Sequence, residues 1–176
     1  MVSSDLHFRI HKLKLIIFDV DAVLTDGRIV LGDYGDEIKH YDVQDGFGMV
    51  LLVRAGLRTA IISAKKSRIN SRRAKDLKVA KLYQNAFDKH KVFEKMIKQF
   101  KVTPEECCYV GDDLIDIPVM SRVGFAVAVQ NAQAETKEAA HYVTEKSGGR
   151  GAVREVCNLI LKTQGKWEDV TSKYFK

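Results

Sequence analysis

The sequence predicts an α/β fold built on a doubly wound, mainly parallel sheet. Three observations carry this expectation: short apolar runs bounded by turn residues recur along the chain, helix-period segments fall between them, and two of the runs end in clustered carboxylates. Leu13 to Phe18 reads as the first buried strand and Thr59 to Ile62 as the second. Ala80 to Tyr83, Cys107 to Val110 and Phe125 to Val129 follow, and His141 to Thr144 completes the series as a short last strand. Between them, Val92, Phe93, Met96, Ile97 and Phe100 mark one apolar helix face, and Val153, Val156, Cys157, Ile160 and Leu161 mark another.

One segment breaks the alternation. Arg28 to Leu31 and Glu37 to Tyr41 flank Gly32-Asp33-Tyr34-Gly35, the pattern of an antiparallel hairpin protruding after the first strand. A two-stranded hairpin is marginal alone, so a neighbouring subunit is the economical partner, and a homo-oligomer is expected. The 176 residues fit one domain with its core over about 10–165, the hairpin over about 28–41 and a loosely ordered tail over 166–176.

Composition narrows the function classes. Hydrophobic residues make up 45% of the chain and charged residues 30%, the balance of a soluble globular protein. No stretch approaches a membrane span or a signal peptide, so the cytoplasm is the expected location. The net charge of +6 is concentrated between Lys65 and Lys101, where 13 Lys or Arg face only Asp76, Asp88 and Glu94. No nucleic-acid motif accompanies that stretch, so a solvated basic face that attracts a small anionic substrate is the expectation, with neither nucleic acid nor membrane as partner. Cys107, Cys108 and Cys157 lack metal or disulfide spacing and read as packing residues.

The chemistry is carried by strand ends. Asp19-Val20-Asp21 directly follows Leu15-Ile16-Ile17-Phe18, and open parallel sheets place ligand sites at that edge. Val110-Gly111-Asp112-Asp113-Leu114-Ile115-Asp116 repeats the arrangement. If the two strands are neighbours, Asp19, Asp21 and Asp112 crowd together and require a cation, and oxygen-only ligands select a hard ion such as Mg²⁺. Asp113 and Asp116 also suit turn formation and capping. Ser63 ends a third strand, where a hydroxyl and following N–H groups suit a phosphate oxygen. Lys89 opens the helix after Asp88 and suits an ammonium among the carboxylates, with Lys91 as the competing choice.

The order Asp19-Val20-Asp21-Ala22-Val23-Leu24-Thr25, then Ser63, then Lys89, then Gly111-Asp112-Asp113-Leu114-Ile115-Asp116 resembles the haloacid dehalogenase superfamily of phosphotransferases. The resemblance implies a Rossmann-like core with Asp19 as nucleophile and Asp21 as general acid and base. It further implies Ser63 as phosphate contact, Lys89 as charge stabiliser, and Mg²⁺ held by Asp19, Asp112 and the backbone carbonyl of Asp21. Asp113 and Asp116 take supporting roles. The spacing between motifs leaves no room for a cap domain, so neighbouring subunits are expected to close the site.

Asp26-Gly27 with the hairpin, Gln44-Asp45-Gly46-Phe47-Gly48, and Gly148-Gly149-Arg150-Gly151-Ala152-Val153-Arg154-Glu155 extend the likeness. Together they resemble the 3-deoxy-D-manno-octulosonate 8-phosphate phosphatases, which implies a tetramer, a phosphorylated sugar acid substrate and a place in lipopolysaccharide precursor synthesis. Thr25, Lys65 and Arg150 are the expected substrate contacts, with Arg150 reaching its own or a neighbour's site. Ala22 stands where that family usually has Gly, and Ala64-Lys65 where it has Gly-Arg. The alternatives are a nine-carbon sugar acid 9-phosphate as substrate, or a non-catalytic oligomerisation module.

Overall fold

Strand β1 (Leu15–Phe18) is buried along its whole length, because helices cover both faces of the sheet to which it is central. The computed structural model describes residues 4–34 and 36–175. Its elements run α1 (Ser4–His11), β1, the short strands β2 (Val30–Leu31) and β3 (Glu37–Ile38), α2 (Val43–Arg54), β4 (Arg58–Ile62), α3 (Arg68–Asp76) and β5 (Lys81–Tyr83). They continue as α4 (Lys89–Phe100), β6 (Cys107–Gly111), α5 (Ile117–Met120), β7 (Phe125–Ala128), α6 (Ala134–Glu138), β8 (Tyr142–Val143), α7 (Ala152–Thr163) and α8 (Trp167–Thr171).

The six-stranded sheet has the order β5-β4-β1-β6-β7-β8, and all its pairings are parallel. The chain moves outward from β1 through β4 to β5, then crosses to β6 and continues through β7 to β8. Right-handed crossovers in opposite directions put α2 and α5 on opposite faces. The strand order therefore reverses at β1, and the crevice at its carboxyl end is the natural ligand position. Register brings the motifs level: Phe18 pairs with Val110 on one side and with Ile61 on the other.

The expected strands are present, shifted by a residue or two at their ends. The apolar faces read for the two helices are also observed: Phe93 and Met96 are buried on α4, and Val153, Val156, Cys157, Ile160 and Leu161 on α7. The three cysteines are free and buried. Helix α1 had no signal in the strand pattern. It docks through buried Ile10, and the Gln164 side-chain amide donates to the carbonyls of Ile10 (2.9 Å) and Leu13 (3.0 Å).

The hairpin is antiparallel, with Val30 opposite Ile38 and Leu31 opposite Glu37; Gly35 of its expected turn lies outside the described residues. Its paired part is shorter than expected, because Lys39 and Tyr41 leave the ladder to pack toward the sheet. The tail departs from expectation more clearly. Residues 167–174 form α8 and a 3₁₀ turn rather than a loose end. Val170 and Thr171 are buried, the Tyr174 ring meets Phe47 edge-on, and Arg54 donates to the Tyr174 hydroxyl at 2.6 Å. Apolar residues spaced for one helical turn have found a surface on the chain's own helices, which a polar-looking local sequence did not announce.

Candidate active site

Asp19 leaves β1 with its backbone N–H bonded to the carbonyl of Val110 (3.0 Å), so the ends of β1 and β6 are stitched together at the first carboxylate. After it the chain folds into a tight loop around the carbonyl of Val20, which accepts from the N–H groups of Val23, Leu24 and Thr25 at 2.9 to 3.3 Å. Ala22 adopts φ 62°, a left-handed conformation that costs an alanine about 1 kcal/mol relative to glycine. The loop thus imposes the positive φ that the Ala-for-Gly difference put in question. Thr25, expected at the substrate, is fully buried. Its hydroxyl bonds the backbone of Val20, Ala22 and Gly27, so it shapes the loop instead.

The β6 end is organised by Asp116. One of its carboxylate oxygens accepts from the backbone N–H groups of Asp112 (2.9 Å) and Asp113 (3.3 Å). The other accepts from the Tyr109 hydroxyl (2.6 Å) and from the Lys89 ammonium (2.6 Å). Burial keeps the Tyr109 hydroxyl protonated by pushing its pKa well up, so it remains a donor. Asp113 is exposed and caps the next turn through the Leu114 N–H (2.7 Å), the local role its residue type suggested.

Lys89 joins the two halves. Its ammonium lies 2.9 Å from Asp19 Oδ1 and 2.6 Å from Asp116 Oδ1, with no exposed side-chain surface. Burial opposes its charge, but the Asp19 and Asp116 carboxylates outweigh that and raise its pKa. Lys91 is exposed, so Lys89 is the lysine of this site. Ser63, expected at the phosphate, is fully buried; its hydroxyl donates to the Lys65 carbonyl (3.0 Å) and accepts from the Asn70 side-chain amide (3.4 Å). Asn70 in turn accepts from the Tyr41 hydroxyl at 2.9 Å, a relay that the sequence did not reveal.

The structure keeps the two expected selectivity residues outside this cluster. Lys65 is exposed, and Arg150 is exposed with its guanidinium 4.0 Å from Asp26 of the same chain. The glycines before Arg150 lie directly against the first-motif loop: a Cβ on Gly148 would sit 1.6 Å from the Ala22 carbonyl oxygen. Buried Asp45 holds this segment from α2, accepting from the N–H groups of Gly151 (3.2 Å) and Arg154 (2.7 Å). Asp21 points toward the hairpin, where Lys39 Nζ lies 2.6 Å from its Oδ1. In the sequence Asp45 is marked only as part of the Gln44 to Gly48 segment, with no role of its own, and Lys39 is not marked at all, since it stands in a polar stretch where solvation is the ordinary fate.

Oxygen atoms of Asp19, Asp112 and Asp116 all lie within 4.8 Å of one another. Asp116 has its oxygens bonded, which leaves Asp19 and Asp112 as the carboxylates able to meet a cation. Their all-oxygen donor set fits a hard divalent ion. Protonation shows the same crowding. Burial, opposed by Lys89, pushes Asp19 up to about 7, and burial with the neighbouring Asp19 and Asp116 charges pushes Asp112 up to about 8.

A family model described as haloacid dehalogenase-like hydrolase matches residues 56–156. The chain belongs to that family. A curated relative, the 3-deoxy-D-manno-octulosonate 8-phosphate phosphatase of Yersinia pestis, is 42% identical over 170 residues, 97% of this chain and 91% of the relative. A crystal structure of a probable YrbI family phosphatase from Pseudomonas syringae superposes with a TM-score of 0.96 at 45% identity, covering 99% of both chains. The 3-deoxy-D-manno-octulosonate 8-phosphate phosphatase of Moraxella catarrhalis, solved with a magnesium ion, a phosphate ion and a KDO molecule, also gives 0.96 at 35% identity, over 98% of this chain and 99% of that one. Within the haloacid dehalogenase-like hydrolases, such relatives class the chain as a phosphoric monoester hydrolase.

The raised Asp19 and Asp112 values predict a proton-linked metal site. Both groups bind protons more tightly folded than unfolded, so their stabilising contribution to the metal-free protein is complete below about pH 4 and is lost as pH rises to about 8. Thermal unfolding of the metal-free chain should therefore shift downward across that range, with the stabilisation by Mg²⁺ growing. Calorimetric titration at pH 7 in buffers of different ionisation enthalpy should show release of about one proton per bound ion. No proton release at pH 7 would contradict this account.

Proposed function

We propose that this chain hydrolyses 3-deoxy-D-manno-octulosonate 8-phosphate to the free sugar acid and inorganic phosphate, through a phosphate ester formed on Asp19. The observation that carries the reading is the buried Lys89 bridge, which holds Asp19 at the end of β1 beside Asp112 at the end of β6. An Asp19 oxygen attacks phosphorus, and the bond from phosphorus to the sugar oxygen breaks. Asp21 gives its proton to the departing alkoxide. It then takes a proton from the water that attacks the phosphorylated Asp19, releasing phosphate and restoring the carboxylate. Lys89 fixes the attacking oxygen and offsets charge gathering on the phosphoryl oxygens. Asp19, Asp112 and the Asp21 backbone carbonyl would hold a Mg²⁺ ion, which would supply the positive charge that lets these carboxylates and a phosphate occupy one pocket. Ser63 is read as the phosphate-oxygen contact, with Asp113 and Asp116 in support.

The substrate assignment rests on the names of the similar enzymes and on the sugar acid bound to one of them. Lys65 and Arg150 are the proposed partners of the substrate carboxylate, since each is an exposed cation on a segment adjoining the strand-end loops. The reaction is placed in the cytoplasm, in the supply of lipopolysaccharide precursor. No helix among the described residues is long and apolar enough to cross a membrane. We further propose a homotetramer assembled through the hairpin, where Leu31 is 75% exposed and Tyr34 96%, a surface that one subunit leaves uncovered.

Asp19→Asn should reduce phosphate release from the sugar acid phosphate at least about a thousandfold while leaving the unfolding temperature within a few degrees of the parent. Near-normal release by the purified variant would refute the Asp19 mechanism. A folded parent inactive on every phosphate ester would instead favour the non-catalytic module. Light scattering should give a mass of four chains at micromolar concentration, and a fully active monomer would remove the assembly proposal. For selectivity, Arg150→Ala should lower kcat/KM for the sugar acid phosphate at least about tenfold more than for p-nitrophenyl phosphate, which lacks the carboxylate. Equal losses on the two substrates would withdraw Arg150 from substrate recognition.

A further inference from the structure

Lys39 is a lysine whose side chain has no exposed surface, on a hairpin whose neighbouring side chains are mostly in solvent. Burying an ammonium costs several kcal/mol unless charge partners compensate. Its partners are Asp21 Oδ1 at 2.6 Å and Glu37 Oε1 at 3.5 Å. The carboxylate of Asp21 remains 31% exposed at the mouth of the site, so the bridge leaves it reachable while fixing where it points. The segment carrying Lys39 is anchored close by: Tyr41 pairs with Thr25 of the first-motif loop and donates to Asn70, which bonds Ser63. Residues 37–41 thus reach both the proposed proton-transfer carboxylate and the proposed phosphate contact. A lysine needed only to fasten the hairpin had Glu37, two residues away, as a partner, yet its closer contact is Asp21.

We infer that Lys39 is a positioning residue for proton transfer by Asp21, an inference that rests on the acid and base role given to Asp21 above. When the ester bond breaks, the proton on Asp21 moves to the alkoxide oxygen and the carboxylate is left with a negative charge. An ammonium already within hydrogen-bond distance stabilises that charge as it forms and holds the carboxylate in one orientation, so little reorganisation is needed during the step. In the second half-reaction the same bridge presents the carboxylate to water as a base. Lys39 touches neither the phosphate nor the nucleophile in this scheme and acts through Asp21 alone.

Leaving-group chemistry separates this role from a structural one. The sugar alkoxide is a poor leaving group and requires the proton, whereas p-nitrophenolate departs without one. In a mechanism with a covalent intermediate, kcat/KM counts only the steps up to departure of the alcohol, so hydrolysis of the intermediate does not obscure the comparison. Lys39→Met keeps the length of the side chain and removes its charge. It should lower kcat/KM on 3-deoxy-D-manno-octulosonate 8-phosphate at least about tenfold more than on p-nitrophenyl phosphate, a loss within the usual range of general acid catalysis. Lys39→Arg should recover much of the difference, and Lys39→Met should have no further effect in an Asp21→Asn background.

Parallel losses on the two substrates, or no loss on either, in a variant with parental mass and circular dichroism would overturn the inference while leaving the role of Asp21 standing. If Lys39→Met does not fold, Lys39→Arg and Lys39→Gln carry the same comparison, and an unchanged substrate ratio in whichever of them folds overturns it. If Asp21→Asn itself fails to discriminate between the substrates, the acid and base reading of Asp21 falls, and the inference falls with it.

Discussion

The site is built on a buried lysine shared between two strand ends. Lys89 holds Asp19 after β1 and Asp116 after β6, and Asp116 spends its remaining bonds on Tyr109 and on the N–H groups that aim Asp112. The buried carboxylates are tolerable in the interior only because Lys89 is there, so removing this shared cation would leave them uncompensated at a cost of several kcal/mol, whereas Lys89 keeps Asp116 as a partner when Asp19 loses its charge. Three carboxylates still face one ammonium. Burial first, and the neighbouring carboxylate charges after it, raise Asp19 and Asp112, and the same crowding makes the pocket receptive to a divalent cation.

Around that network the chain brings its own loops close together, and among the described residues no inserted domain lies over the strand ends. The Gly148–Gly149 backbone rests on the Ala22–Thr25 loop at distances where a side chain would collide, and Asp45 fastens the same segment to α2. The foot of the hairpin returns through Lys39 and Tyr41 to Asp21 and Asn70. The exposed hairpin is therefore connected to the carboxylate proposed to move protons. Anything that settles the hairpin, including the proposed subunit contact, has a short physical route into the site.

The fold was legible in the sequence because a parallel sheet buried on both faces writes itself as uninterrupted apolar runs, and the carboxylates that follow Phe18 and Val110 cannot belong to such runs. Neighbouring strands in register then turn two distant motifs into one cluster, which a reader of the motifs can anticipate without coordinates. The faces of α4 and α7 were equally plain, since their periodicity is local.

What local pattern does not encode was decided by packing. Lys89 and Lys91 are indistinguishable as residues, and the turn of α4 alone determines which of them points into the sheet. Thr25 carries a hydroxyl at a suggestive position, yet its loop buries it and directs it to backbone partners. Residues 167–174, read as a loose tail, became ordered because α2 and α7 offered a surface to Trp167, Val170 and Tyr174. Lys39 had no signal at all, because its burial depends on a hairpin folding back over Asp21, 18 residues earlier in the chain. Contiguous or periodic residues were enough to specify the sheet, the helix faces and the acidic strand ends. Which polar side chains lost their water followed from the folded chain alone, because desolvation depends on what distant segments place over them.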